Sequence, residues 1–98
     1  MRQELASAAA YHEERREGFG LKLFDEYDAV IERALTFPSS GTRVDLKSRF
    51  EVRRFQLRRF RYSVFAAVVG EEFVVFCVSH HKRKPGYWAE RLKKIERE

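Results

Sequence analysis

Apolar residues recur at helical spacing through the first third of the chain, and they predict two helices. Over residues 4–17, apolar side chains and His12 fall on one side of a helix while charged residues fill the other. Gly18-Phe19-Gly20 ends this pattern, because glycine is favoured just past a helix end. The short break predicts an antiparallel helical hairpin, closed by Phe37-Pro38-Ser39-Ser40-Gly41. The second helix carries a wide apolar stripe made of Leu23, Phe24, Tyr27, Val30, Ile31, Ala34 and Leu35.

From Arg43 onward the apolar residues recur at every second position, which predicts β-strands. Along the first strand the phase changes once, because Phe50 and Val52 have one parity and Phe55 has the other. An inserted residue moves all later side chains to the opposite face of a sheet. We therefore expect a β-bulge at Arg53-Arg54.

Two further strands follow. Residues 62–69 are apolar at both parities, which is typical of a central strand that is buried on two faces. Gly70-Glu71 predicts a two-residue hairpin turn, after which the apolar residues 73–78 return beside the central strand. Helical spacing resumes near the end of the chain, at Trp88, Leu92 and Ile95.

These elements predict one α+β domain that spans residues 1–98. A chain of 98 residues is long enough for one hydrophobic core and too short for two. The expected fold is an N-terminal antiparallel helical hairpin packed on an antiparallel sheet of three or more strands, with a short C-terminal helix.

The positive charge of the chain is concentrated in its second half. The formal net charge is +5. Residues 1–48 contain seven lysines and arginines against nine acidic residues, whereas residues 49–98 contain thirteen against six. A basic sheet and tail favour a polyanionic or acidic partner, meaning nucleic acid or an acidic protein segment.

The sequence also argues against several classes of protein. Cys77 is the single cysteine and lies in an apolar run, so there is no disulfide framework and no zinc pattern. No signal segment opens the chain, and no apolar run reaches the length of a membrane span. We expect a cytoplasmic protein that uses neither a metal nor a cofactor and does not bind a membrane.

The clearest local signal for a functional site follows the last predicted strand. Residues 73–78 lead directly into Ser79-His80-His81-Lys82-Arg83-Lys84, and Pro85-Gly86-Tyr87-Trp88 comes next. Sites are commonly built from polar groups at the end of a rigid element. Taken alone, the same cluster is more typical of a solvated exit from a strand than of a functional site.

Three segments together resemble the RelE/ParE toxins of bacterial type II toxin–antitoxin systems. The hairpin carries Tyr11-His12-Glu13-Glu14-Arg15-Arg16-Glu17-Gly18-Phe19-Gly20-Leu21, with Phe24 and Phe37-Pro38 after it. The sheet carries Arg58-Arg59-Phe60-Arg61-Tyr62-Ser63-Val64-Phe65. The third segment, Val78-Ser79-His80-His81-Lys82-Arg83-Lys84-Pro85-Gly86-Tyr87-Trp88, is the most specific and resembles the ParE-like branch. The resemblance extends over residues 5–92, nearly the whole chain.

Two features depart from the family pattern. Family members usually begin with a short strand before the first helix, whereas this chain begins almost within that helix, so we expect that the strand is absent or that the true start lies upstream. Its absence leaves one sheet edge less covered, which an antitoxin or a second copy would relieve. Arg61 stands where a proline is common in the family.

The resemblance implies one of two activities. ParE-like toxins bind and poison DNA gyrase, whereas RelE-like toxins cleave messenger RNA on the ribosome. Cleavage requires cations around the phosphate and a group that accepts the 2′-hydroxyl proton. If the chain is a nuclease, its catalytic residues are expected among His80, His81, Arg83, Arg61 and Tyr87, with Arg54, Arg58 and Arg59 as further phosphate ligands.

The ParE-like activity is the favoured interpretation, because the most specific segment follows that branch. We therefore predict a toxin that inhibits gyrase by binding and forms a hetero-oligomer with a cognate acidic antitoxin. The alternatives are a ribosome-dependent mRNA endoribonuclease and a non-toxic partner-binding relative. The antitoxin or target is expected to contact the cations of the second half, namely Arg53, Arg54, Arg58, Arg59, Arg61, Lys82, Arg83 and Lys84.

Overall fold

Two helices precede four strands in the computed structural model, which describes residues 2–45, 49–81 and 91. The elements are α1 (Arg2–Arg15), α2 (Phe19–Thr36), a 3-10 turn (Pro38–Ser40), β1 (Thr42–Arg43), β2 (Glu51–Gln56), β3 (Tyr62–Val69) and β4 (Glu72–His80). The strands form one antiparallel sheet in the order β1-β2-β3-β4. The predicted α+β arrangement of a helical hairpin and an antiparallel sheet is therefore confirmed.

A glutamate of α1 closes the short connection between the helices. Gly18 adopts φ 86°, a left-handed conformation in which glycine carries no steric penalty. The Glu13 carboxylate accepts hydrogen bonds from the backbone N–H groups of Gly18 and Gly20, each at 3.0 Å. The first N–H groups of a helix have no acceptor within the helix, so Glu13 supplies acceptors at the start of α2.

The hairpin covers one face of the sheet, termed here the helix face. Leu23, Val30 and Ala34 of α2 are buried there, which accounts for the apolar stripe in the sequence. They pack in one core with Leu5, Ala8, Ala9, Phe55, Leu57, Phe60, Val64, Ala66 and Val78. The opposite face, termed the far face, carries a second buried cluster made of Val52, Ala67, Phe76 and Cys77.

The predicted bulge at Arg53-Arg54 is wrong. All six residues of β2 pair in regular register with β3, from Glu51 opposite Val68 onward. The phase change in the sequence has a different cause, since both faces of the sheet are buried. Val52 belongs to the far-face cluster and Phe55 belongs to the helix-face core.

The irregularity of the sheet lies between β3 and β4. Ala66 pairs with Val75, whereas its neighbour Phe65 pairs with Cys77. Phe76 is therefore the extra residue of a β-bulge. An extra residue reverses the alternation of side chains, so that Val75 and Val78 both face the helices although their parities differ.

The sheet contains β1 in addition to the three strands that the sequence predicts. Thr42 and Arg43 of β1 pair with Arg54 and Arg53 of β2.

No helix in the described part of the chain is both long enough and apolar enough to span a membrane. The predicted C-terminal helix, with Trp88, Leu92 and Ile95, lies outside the described residues apart from Arg91.

Two leucines of α2 provide a test of the packing. Leu23 is 0% exposed and Leu21 is 66% exposed. Leu23→Ala should lower the free energy of unfolding by about 2–5 kcal/mol, because it leaves a cavity in the core. Leu21→Ala, the matched control, should change it by less than about 0.5 kcal/mol. Urea denaturation measures both values, and equal losses would show that Leu23 does not lie in the core.

Candidate functional site

Pairing of β3 with β4 brings the predicted histidines beside an arginine. Tyr62 pairs with His80 at the end of the sheet. One residue further, the His81 backbone N–H donates to the Arg61 carbonyl oxygen at 2.9 Å. The segments that contain Arg61 and His81 are thus neighbours in space, as expected if they form one site.

The two histidines point to opposite faces of the sheet. The His80 ring lies edge-on to the Tyr62 ring, with 5.0 Å between centroids, on the helix face. The His81 Nε2 atom lies 2.9 Å from the Ser63 hydroxyl oxygen. Ser63 precedes Val64, a residue of the helix-face core, so its side chain is on the far face. The two imidazoles therefore cannot act together on one reacting atom.

His80 opens onto a cleft between α1 and the sheet. The cleft has a volume of about 420 Å³, and polar side chains from both sides converge on it. Its lining consists of Gln3, Glu4, Ser7, Ala8, Tyr11, Tyr62, Val78 and His80. Burial, together with the neighbouring Tyr11, raises the pKa of Tyr62. Its phenol therefore stays protonated at neutral pH and remains a hydrogen-bond donor rather than a base.

A third histidine, His12 of α1, belongs to the same aromatic cluster. Its ring lies 4.9 Å from the Phe60 ring, 5.2 Å from Tyr11 and 5.8 Å from Tyr62, each distance measured between centroids. Its Nε2 atom is buried without a hydrogen-bond partner. Burial, and after it the charge of Arg15, lowers the pKa of His12. The cluster therefore favours the neutral imidazole.

Three predicted cations lie in the connection between β2 and β3. Arg58, Arg59 and Arg61, termed here the arginine turn, are exposed and form no ion pair within the described part of the chain. Glu26 of α2 fixes the backbone of the turn, because its Oε1 atom accepts the N–H groups of Arg58 and Arg59, each at 2.9 Å. The guanidinium groups are left available for a partner.

The other two predicted arginines are separated from the arginine turn. The Arg53 guanidinium donates to the Gly41 carbonyl oxygen at 2.8 Å and lies 3.3 Å from a Glu51 carboxylate oxygen. Its side chain is only 19% exposed, so Arg53 is engaged within the protein. Arg54 is partly buried and points to the other face of β2. Of the remaining predicted residues, Lys82, Arg83, Lys84 and Tyr87 lie outside the described residues.

Tyr11, Tyr62 and Glu26 contribute to the site but were not among the predicted site residues. Glu26 is 32 residues from Arg58 in sequence, and no local pattern joins them. Tyr62 does adjoin Arg61 within a segment that resembles the toxin family. Within the described ranges, no three His, Cys, Asp or Glu side chains are grouped as metal ligands would be.

The lowered pKa of His12 predicts a stability that depends on pH. An unfolded chain protonates His12 near its ordinary pKa of about 6.5, whereas the folded chain resists protonation. The contribution of neutral His12 to the free energy of unfolding is therefore fully present at a pH above the pKa of the unfolded chain. It is lost as pH falls through the lower pKa of the folded state. His12→Phe, which keeps a ring in the cluster, should reduce the fall in melting temperature between neutral pH and pH 5. His81→Gln is the matched control, and an unchanged pH profile in His12→Phe would contradict the assignment.

Comparison of the chain with protein-family models, with curated proteins and with solved structures found no match. The resemblance to the RelE/ParE toxins therefore stays a prediction from sequence segments. The structural features that bear on function are the cleft at His80, the position of His81 and the arginine turn.

Proposed function

We propose that this chain is the toxin of a bacterial type II toxin–antitoxin pair and that it acts by binding DNA gyrase. The observation that carries the proposal is the divergence of His80 and His81 at the end of a cationic sheet. The site offers exposed cations and ordered aromatic rings on a rigid scaffold, and such a surface suits binding. This proposal rests in addition on the three segments that resemble the ParE-like branch.

Binding is favoured over catalysis because a general acid and a general base must both reach the reacting group. His80 and Tyr62 lie together on the helix face, whereas His81 contacts Ser63 on the far face. A substrate in contact with one imidazole is separated from the other by the sheet. The described residues therefore offer one histidine to each face rather than a pair.

A ribosome-dependent endoribonuclease is the second candidate, and one contact favours it. His81 is hydrogen-bonded through its backbone to Arg61, which places an imidazole and a guanidinium at the same end of the sheet. A histidine and an arginine are suitable groups for accepting a proton and stabilising a phosphate.

The arginine turn is proposed as the contact for the acidic antitoxin. Its backbone is held by Glu26, so the arginine stems start from a fixed position. A preorganised cationic surface loses less conformational entropy when a partner binds. Acidic segments that fold upon binding are suitable ligands for it.

The activity assay distinguishes the two candidates. Purified protein should inhibit DNA supercoiling by gyrase or trap cleaved DNA, and it should leave ribosome-bound messenger RNA intact. His81→Ala should retain this inhibition, since His81 has no catalytic role in a binder. Codon-dependent cleavage of the message that falls by about 10²-fold or more in His81→Ala would instead identify a nuclease.

Charge reversal tests the antitoxin contact. Arg58→Glu combined with Arg59→Glu should weaken binding of the proposed acidic antitoxin by about tenfold or more and reduce the dependence of that binding on salt. The matched control is Arg15→Glu combined with Arg16→Glu, which makes the same change in net charge on α1. Equal affinities of the two double variants would place the antitoxin elsewhere.

A further inference from the structure

A stretch of β4 presents backbone groups that no other described strand covers. β4 lies at one edge of the sheet, and among the described strands it pairs only with β3. The Tyr62 carbonyl accepts the Leu57 N–H, so Tyr62 and every second residue after it turn their backbone groups toward β2. Phe73 and Val75 of β4 stand opposite two of these residues. Their own N–H and C=O groups therefore point outward, away from the sheet.

The rest of this edge is already occupied. The Glu4 carboxylate accepts the Val78 N–H at 3.1 Å. Arg91 donates to the Phe76 carbonyl oxygen at 3.4 Å and forms a 2.6 Å ion pair with Glu4. With respect to the described residues, the open part of the edge is consequently the short segment 73–75, at the opposite end of β4 from His80.

An apolar groove runs beside the open segment. Tyr27, Ile31 and Leu35 of α2 form one side of it, and residues 73–75 form the other, with a volume of about 640 Å³. Leu35 is 61% exposed, although it is a large apolar side chain. A segment that paired with β4 here would place alternate side chains over this groove.

The charge around the groove is negative. Asp28 and Glu32 belong to its lining and are exposed, and neither forms an ion pair with any described residue. Glu71 and Glu72, also exposed, lie where β4 begins. A second copy paired antiparallel about Val74 would bring the same carboxylates to both sides of one seam. The negative charge of this surface therefore disfavours self-association and favours a positively charged binding partner.

We propose that the edge of β4 at residues 73–75 and the adjoining α2 groove bind an extended basic segment of a partner protein by strand addition. The bound segment has apolar side chains at alternate positions, directed into the groove, and lysine or arginine between them. This surface is separate from the arginine turn and has the opposite charge. It therefore takes a different partner from an acidic antitoxin, and it does not depend on the proposed function.

The test uses the full chain and a blocked peptide of about nine residues in which valine and lysine alternate. The basic peptide should bind saturably and shift the NMR signals of residues 73–75, and a peptide that alternates valine and glutamate should not. Asp28→Lys combined with Glu32→Lys should weaken binding by about tenfold. Glu14→Lys combined with Glu17→Lys is the matched control and should stay within about twofold of the parent.

Val75→Pro provides a second, independent variant, because proline removes an outward-facing donor that the sheet does not use. It should abolish peptide binding while far-ultraviolet circular dichroism shows an unchanged fold. Equal binding of the two peptides, no saturable binding, or signal shifts confined to the arginine turn would each overturn the proposal. Sedimentation that detects a dimer, lost in Val75→Pro, would identify a second copy as the bound partner instead.

Discussion

Alternation of side chains between two buried sheet faces is the constraint on which the position of every polar group at the sheet end depends. Val64 and Ala66 are fully buried on the helix face, and Ala67 is fully buried on the far face. A strand with both faces covered cannot rotate or slip without exposing one core or the other. The side chains of the residues that follow the strand therefore point to a fixed face of the sheet. This is why consecutive histidines diverge and only His80 reaches the cleft.

The bulge at Phe76 decides which histidine faces the helices. Without an extra residue between Val75 and Cys77, the register of Val75 with Ala66 would continue, so that Ser79 would pair with Tyr62 and His81, not His80, would face the helices. The exposed imidazole would then be His80. Bulges are frequent beside functional sites because they redirect side chains in this way. Here the bulge aligns an imidazole with the aromatic cluster of α1 and leaves the next one at the surface.

Three glutamates of the hairpin serve as acceptors for backbone N–H groups that secondary structure leaves unpaired. Glu13 accepts from the start of α2, Glu26 accepts from the arginine turn, and Glu4 accepts from the edge of β4. Unpaired backbone donors are costly when they are removed from water, and charged acceptors form the stronger hydrogen bonds. Part of the acidic character of the first half of the chain is thus structural. The basic second half contacts Glu26 and Glu4 through its backbone, and it contacts Glu4 through the Arg91 side chain as well.

The helices, the three longer strands and the helix-face core were predictable from sequence, because long periodic patterns such as the α2 stripe determine them. The bulge was predicted at the wrong place, since apolar residues at both parities have the same sequence signature whether a strand is bulged or buried on two faces. β1 has only two residues and no pattern to detect. Within the site, the closeness of Arg61 and His81 followed from strand pairing. The roles of Glu26, Tyr11 and Tyr62 did not, because they arise where α1 and α2 cross the sheet.

The fold separates two surfaces of opposite charge along one strand. The arginine turn adjoins the start of β3 at Tyr62, and the acidic groove adjoins the turn after Val69. The open segment of β4 begins at Val75, which pairs with Ala66, four residue steps or about 13 Å from Tyr62. That distance exceeds the screening length of about 8 Å at physiological salt, so a partner at either surface meets mainly the charges of that surface. An acidic ligand at the arginine turn and a basic ligand at the β4 edge can therefore be bound together, each selected by the charge it meets locally.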